Sequence, residues 1–444
     1  MPPQKFFLNN KKGSILLFVV MFGLLAMGVI ITGVAGYAVF EHRASTRLYQ
    51  RDQAFHIAEA GIDYYRWHLA HTPNDYQDGT NHSGPYVHAF TDKDGTVIGY
   101  YSLDITAPIT GSTITTITST GWTVAEPNAR RVIRVRLGFP ALTNNTFLTN
   151  ADMSFSQTTV VNGIVQSNGG IRFDGTTNSW VRSARSTYTY SGTTRNGVWG
   201  IGGPQSFWEF PVPAVDFNSV TADLAAIQTS ADNGGIHLYS SGRNGWRLVF
   251  LANGTFNLYR VTSRCYSGYC YDIQTSTLVS NNAIPANGAI FVEDNVWVEG
   301  VVNGRVTIGA GRFPVLPATY RDIIISNNLT YNSQASTDVI GLIAQRDIVV
   351  PHNVPTNMTI NAAALAQFGS IYTPSYAQTR NSLTFSGSQI SFASGGWKYV
   401  NAGGTVVSGF INTNHIYDGN LRYYPPPGFP VGNVYDLISW EELR

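Results

Sequence analysis

The hydrophobic pattern of this chain changes period along its length, and each change predicts a different element. From Ser14 to Phe40 the sequence SILLFVVMFGLLAMGVIITGVAGYAVF carries no charge. A helix of these 27 residues would be roughly 40 Å long, enough to cross a hydrocarbon core of about 30 Å. Residues 14–40 therefore read as a transmembrane helix, too long for the apolar region of a cleaved secretory signal. Over 41–72 apolar residues recur at spacings of three and four, as in Phe55, Ala58, Ile62 and Tyr65, so the helix continues into water. Ala54, Ala58 and Gly61 make a small-residue face on which another helix could come close. After Pro73 the period drops to two. AFTDKDGTVIGYYSLDI predicts a hairpin with a type I′ turn at Asp94-Gly95, and TITTITSTGWTV and RRVIRVRLGF predict two more strands. Arg130, Arg134 and Arg136 would mostly share the solvent face of the last strand. Residues 73–140 are thus expected to form a small antiparallel sheet beside one helix.

Residues 141–444 are too many for that sheet and follow another rhythm. Short β-rich segments with Gly, Asn or Asp at the bends recur in TTVVNGIVQSNGGIRFDG and again, most strongly, over 288–410. This texture predicts a large distal β domain, read as a right-handed parallel β-helix, with an antiparallel β-sandwich as the structural alternative. The stretch near 220–280 fits neither: TADLAAIQTSA looks helical and a cysteine loop interrupts, so it reads as an insertion.

Composition points away from nucleic acid. Only 12% of residues are charged and the formal net charge is +1, which falls to −2 if residues 1–13, with their three lysines, are removed. Such a surface gives no electrostatic footprint for nucleic acid. Lys5, Lys11 and Lys12 precede the apolar run and Glu41 follows it, so the positive-inside bias puts the N-terminus in the cytoplasm and the C-terminal domain outside. There, the two cysteines of RCYSGYC, Cys265 and Cys270, are expected to close a small disulfide loop with Ser267 and Gly268 at the turn. A metal at this pair would need two further soft ligands, which no nearby His or Cys supplies, and no cofactor is expected.

The junction Lys11-Lys12-Gly13-Ser14 resembles the leader-peptide site of type IV pilins and pseudopilins, cut after the glycine by a prepilin peptidase. An uncleaved anchor is the plainer alternative for those four residues. Beyond the membrane run, Asp52, Gln53, Ala54 and Phe55, then Ala58, Glu59, Ala60 and Gly61, resemble the helical signature of PilX-type minor pilins. The resemblance covers residues 11–70. It implies a 1–13 leader, a mature N-terminus at Ser14 that becomes methylated, and partners in the peptidase, the assembly platform and other major and minor pilins. Major pilins carry a glutamate as the fifth mature residue, where this chain has Phe18. The loss of that buried ion pair implies a tip or initiating subunit. Near the end, Tyr417, Asp418, Leu421, Pro425, Pro426, Phe429 and Pro430 resemble the closure of β-helical domains in PilX-like proteins, and prolines that cannot donate to a ladder are expected to cap the stack.

Two other functions compete. A membrane-tethered polysaccharide-active enzyme would need clustered carboxylates, but Glu293, Asp294, Glu299, Asp322, Asp338 and Asp347 are spread mostly singly among strand ends, where turn capping explains them. No G-x-S-x-G elbow, H-E-x-x-H or phosphate loop occurs, so no catalytic residue is assigned. His56, Glu59 and Asp63 could be sketched as a metal site, though a solvated helix face accounts for them better. A surface adhesin is compatible with a tip subunit. The aromatic stretch from Tyr188 to Phe210 is where a glycan would first be sought, against packing of those rings under glycine-rich loops.

Overall fold

A computed structural model describes residues 12–217, 224–265, 270–334, 337–401, 403–432 and 434–443 of the 444-residue chain. The fold is mainly β with one long N-terminal helix. It divides into two compact units, one of residues 1–107, 115–137 and 437–444, the other of 108–114 and 138–436.

In the first unit, helix α1 (Lys12–His71) runs unbroken for 60 residues. Beside it lies a five-stranded sheet ordered β1 (Tyr86–Thr91), β2 (Val97–Thr106), β3 (Ile114–Thr123), β4 (Arg131–Gly138), then a C-terminal strand, Asp436–Leu443. That last strand corrects the sequence reading, which left it with the distal domain. Its acids explain the pairing: Glu442 meets Arg131, and Glu441 lies 3.4 Å from Arg134. In β4 the inward Ile133, Val135 and Leu137 alternate with outward Arg134 and Arg136, as the period of two requires. The β1–β2 hairpin differs from expectation in its turn. Gly95 has φ +85° while Asp94 stays out of the left-handed region, and Gly95 N–H donates to the Asp92 carbonyl at 3.1 Å. This is a three-residue turn closed by a glycine bulge, because Asp92 Oδ1 accepts from the N–H groups of both Asp94 and Thr96 at 2.9 Å and holds the wider loop.

The second unit is built on parallel ladders, unlike an antiparallel sandwich. One runs through Ile236–Leu238, Ala289–Val292, Arg305–Ala310, Val339–Ala344, Asn357–Ala366 and Thr379–Ser391. It then continues onto Phe147–Thr149, Val165–Ser167 and Val181–Ser183. The stack is therefore out of chain order: its late strands sit on its early ones. Side chains from this ladder and from those through Val296–Val302 and Val406–Ile416 share one apolar core, including Ile290, Val296, Ile308, Ile323, Leu383 and Phe410.

Strands Val339–Ala344 are buried at all six positions because their other face is covered too. Helix α2 (Leu224–Asp232) lays Leu224, Ile227 and Ala231 there, together with Leu421 and Phe429. The proline segment consequently does not cap an end of the stack. Pro426 and Phe429 lie against Gly341 in mid-ladder, and Arg305 Nη2 donates to the Pro425 carbonyl at 2.5 Å. The 220–280 stretch is likewise only in part an insertion. Trp246 pairs in register with Val296 and Ile236 with Ile290, so both strands are rungs, and antiparallel strands Thr255–Arg264 and Ile273–Ala283 grow from them.

A disulfide joins Cys265 and Cys270, whose Cα atoms are 5.7 Å apart, where those two strands end. Ser267 and Gly268 lie outside the described residues. Both thiols should resist alkylation in native protein until a reductant is added, as mass spectrometry of labelled protein would show. Loss of the bridge should leave the domain folded, because so short a loop removes little unfolded-state entropy, about 2–3 kcal/mol.

Candidate assembly interface

The first half of α1 is a bare apolar surface. From Ile15 to Phe40 every residue but Ala26 is exposed, Phe18 at 67%. An apolar patch of this size is not stable in water and is long enough to span a bilayer. At Gly23, Gly28, Gly33 and Gly36 an added Cβ would meet nothing within 4 Å, so nothing among the described residues explains their small size. Close approach of a neighbouring helix in the membrane would. The helix also closes its own polar groups there, Thr32 Oγ1 donating to the Gly28 carbonyl at 2.8 Å. Lys11 falls outside the described residues, and Lys12, Gly13 and Ser14 are described only as the first helical turn.

The second half of α1 is occupied on one side. Ala54, Ile57, Ala58, Gly61, Ile62, Tyr65 and Leu69 are all buried, at helical spacing. A Cβ on Gly121 of β3 would come within 2.3 Å of the Ala54 carbonyl and 2.5 Å of the Ala58 nitrogen; one on Gly61 would fall 2.4 Å from Ser119 Oγ. The small-residue face expected to receive another helix thus receives the chain's own sheet. Glycines facing small residues let backbone meet backbone, which is why the motif needs Ala and Gly at these positions. Of its other members, Phe55 packs edge-on to Trp440 at 5.9 Å with Arg131 over its ring. Glu59 lies 3.2 Å from His56 Nδ1, and Ala60 is partly exposed. Asp63 pairs instead with Arg66, so the sketched His56, Glu59 and Asp63 set is not assembled as a ligand cluster.

At the end of α1 a polar knot fixes the exit of the chain. Asp75 accepts from the N–H groups of Gln77 and Gly79 at 2.8 and 2.7 Å and lies 2.9 Å from His68 Nε2. These hydrogen bonds, the Gln77 one foremost, hold its carboxyl below the usual range. Burial pushes the Tyr101 hydroxyl up to about 12 and that of Tyr65 still higher.

In the second unit the strand-end acids have local partners. Glu299 binds Arg247, Asp294 accepts from Ser241 N–H at 2.8 Å, Glu293 lies 3.3 Å from His237, and Asp338 accepts from Gly304 N–H at 2.8 Å. Asp322 and Asp347, read from sequence as separate, come together because Ile323 and Ile348 pair in register, and Arg346 lies between them. Among the described residues the group of His, Cys, Asp and Glu close enough to share a metal is Cys265, Cys270 and Asp272, and the disulfide uses both sulfurs. The aromatic stretch is packed on itself: Trp199 Nε1 donates to Tyr188 Oη at 2.8 Å and sits under Arg195 at 4.6 Å.

No protein-family model matches the chain, and no curated protein matches it. Among solved structures, the crystal structure of the competence-associated pilin ComZ from Thermus thermophilus aligns over 89% of this chain and 97% of its own, at 15% sequence identity and a TM-score of 0.32.

Proposed function

We propose that the chain is a minor pilin or pseudopilin, a structural subunit of a type IV pilus-like filament. One observation carries the reading: an apolar helix with a Lys-Lys-Gly-Ser start is exposed through its first half and, at the Ala58-Glu59-Ala60-Gly61 signature, packed on an antiparallel sheet. That division suits a subunit inserted in the membrane before assembly, whose bare half is later covered by neighbouring subunits. In this reading a prepilin peptidase cuts between Gly13 and Ser14, Ser14 is methylated, and the assembly platform receives the mature helix. Residues 1–13 face the cytoplasm, and the second unit, read as a β-helix from its parallel ladders, is displayed at the tip because Phe18 supplies no charge for docking beneath other subunits. Catalysis has no part in it.

Gly13→Phe tests the reading. The variant should accumulate as an unprocessed precursor in the membrane and be lost from filaments, whereas N-terminal sequencing of wild-type filaments should begin at Ser14. Wild-type filaments retaining Met1 would overturn it.

A further inference from the structure

The ladders of the second unit are apolar along their common core up to the level where the last strands stack on the first. In one register column Ile290, Ile308, Leu342 and Ala364 give way to Gln389 before Phe147 resumes. In a second, Ile360 and Phe385 give way to His415 before Val161. In a third, Met358 and Leu383 give way to Thr413. Gln389 stands on Thr379–Ser391 and Thr413 and His415 on Val406–Ile416 next to it, so the three columns turn polar at two adjacent levels, and these levels line a cavity of about 190 Å³. It opens sideways. The ladder through Ile348 and Ile371 reaches its last partner near Gly396, Met153–Phe155 is the edge of a separate ladder, and exposed Ser154, Ser394 and Gly395 form the rim between them.

Hydrogen bonds fix what the cavity offers. Trp397 Nε1, which can only donate, gives its hydrogen to Gln389 Oε1 at 2.9 Å, and this orients the amide. Gln389 Nε2 then donates to His415 Nδ1 at 3.0 Å, which leaves the imidazole proton on Nε2. His415 is 1% exposed; burial, with the Lys398 charge, holds its pKa down at about 3, so the ring stays neutral. Lys398 Nζ donates to the carbonyls of Thr158 and Ile411 at 3.3 and 3.0 Å and to Thr158 Oγ1 at 2.9 Å. All three acceptors are neutral, no carboxylate among the described residues lines the cavity, and burial lowers the ammonium to about 8. Asp347 lines an open groove that shares Ser394, Gly395, Gly396 and Lys398 with the cavity.

Protein acceptors take the three hydrogens of the Lys398 ammonium but leave its charge without a carboxylate among the described cavity residues, so its field favours an anion beside it. The hydroxyls of Thr149, Ser391 and Thr413 call for a polyol, and Phe147, Phe155 and Trp397 for the flat apolar face of a ring. The volume accommodates about a dozen water-sized groups, and a hexuronate has about 13 non-hydrogen atoms. We propose that this cavity binds a sugar acid, one hexuronate ring with its carboxylate at Lys398, either free or as the end of a longer chain lying in the groove.

The test is titration calorimetry on the full-length protein in detergent, with D-glucuronate, D-glucose, benzoate and a glucuronate-terminated disaccharide. Glucuronate should bind about tenfold or more tightly than glucose or benzoate, and Lys398→Met should remove that preference while leaving any glucose binding unchanged. Affinity for glucuronate should fall above a pH of about 8 as Lys398 loses its proton. Ser154→Trp, on the exposed rim, should block binding with no change in circular dichroism, which keeps the test open if the Lys398 variant fails to fold. A disaccharide as tight as the monomer assigns a chain end, and one about tenfold weaker assigns the free acid. Equal binding of glucose and glucuronate, no binding of glucuronate, or glucuronate binding that survives both substitutions overturns the proposal.

Discussion

Gly121→Val should separate α1 from its sheet and destabilise the first unit by about 3 kcal/mol. The new Cβ would fall 2.3 Å from the Ala54 carbonyl and 2.5 Å from the Ala58 nitrogen, and both are backbone atoms of a regular helix. A side chain in the way can change rotamer, but a helix backbone can only move as a body. Movement here would lift Ile57, Ile62, Tyr65 and Leu69 out of the core as well. Urea unfolding of the detergent-solubilised protein, followed by tryptophan fluorescence, would read the change as a lower midpoint. Gly23→Ala is the matching control, since its Cβ meets nothing within 4 Å and should shift the isolated chain by under about 0.5 kcal/mol. A Gly121 variant with wild-type stability would show that the helix does not depend on this contact.

Arg346→Ala should destabilise the second unit by about 3–5 kcal/mol, more than the converse change at its partner. Arg346 holds Asp322 with two hydrogen bonds, Nε to Oδ1 at 2.8 Å and Nη2 to Oδ2 at 2.5 Å. The Asp322 hydrogen bond, ahead of every other influence, keeps the guanidinium more firmly protonated than usual. The asymmetry comes from burial: the Asp322 side chain is fully buried while that of Arg346 is 46% exposed. Removing the arginine leaves a carboxylate with no access to water; removing the carboxylate, as in Asp322→Asn, leaves a guanidinium that can turn outward. Thermal unfolding of the two variants side by side should therefore place Arg346→Ala below Asp322→Asn. The reverse order would mean that the carboxylate finds another partner.

These two sites also show how much of the molecule the sequence discloses. The helix was legible throughout, because its signals are local: an uncharged run long enough for a bilayer, then Phe55, Ala58, Ile62 and Tyr65 at helical spacing. What covers the small-residue face was not, since Gly121 is far from Ala54 in sequence and nothing in either segment names the other. The hairpin at Asp92–Thr96 was placed correctly, but its turn depends on the Asp92 side chain, a choice the Asp-Gly pair alone does not reveal. In the distal region the short β segments could be read, yet their stacking partners could not. Ile290, Ile308, Leu342, Ala364 and Gln389 share one column at unequal spacings, so no repeat marks the register that brings Asp322 to Asp347 or sets Gln389 level with the cavity. A visible clue to the cavity did exist: Gln389 and His415 stand at positions where alternation asks for an apolar residue.

The return of the chain to its first sheet bears on how the protein withstands proteases. The polypeptide passes between the two units at four points, 107–108, 114–115, 137–138 and 436–437. Were the second unit joined by one linker, a single nick would release it. Here a nick between 137 and 138 yields a C-terminal fragment that still owns Asp436–Leu443, a strand seated beside β4 with Glu442 on Arg131 and Trp440 against Phe55. Release then requires pulling a strand out of a folded sheet, so a clipped molecule keeps its second unit for as long as the first unit stays folded.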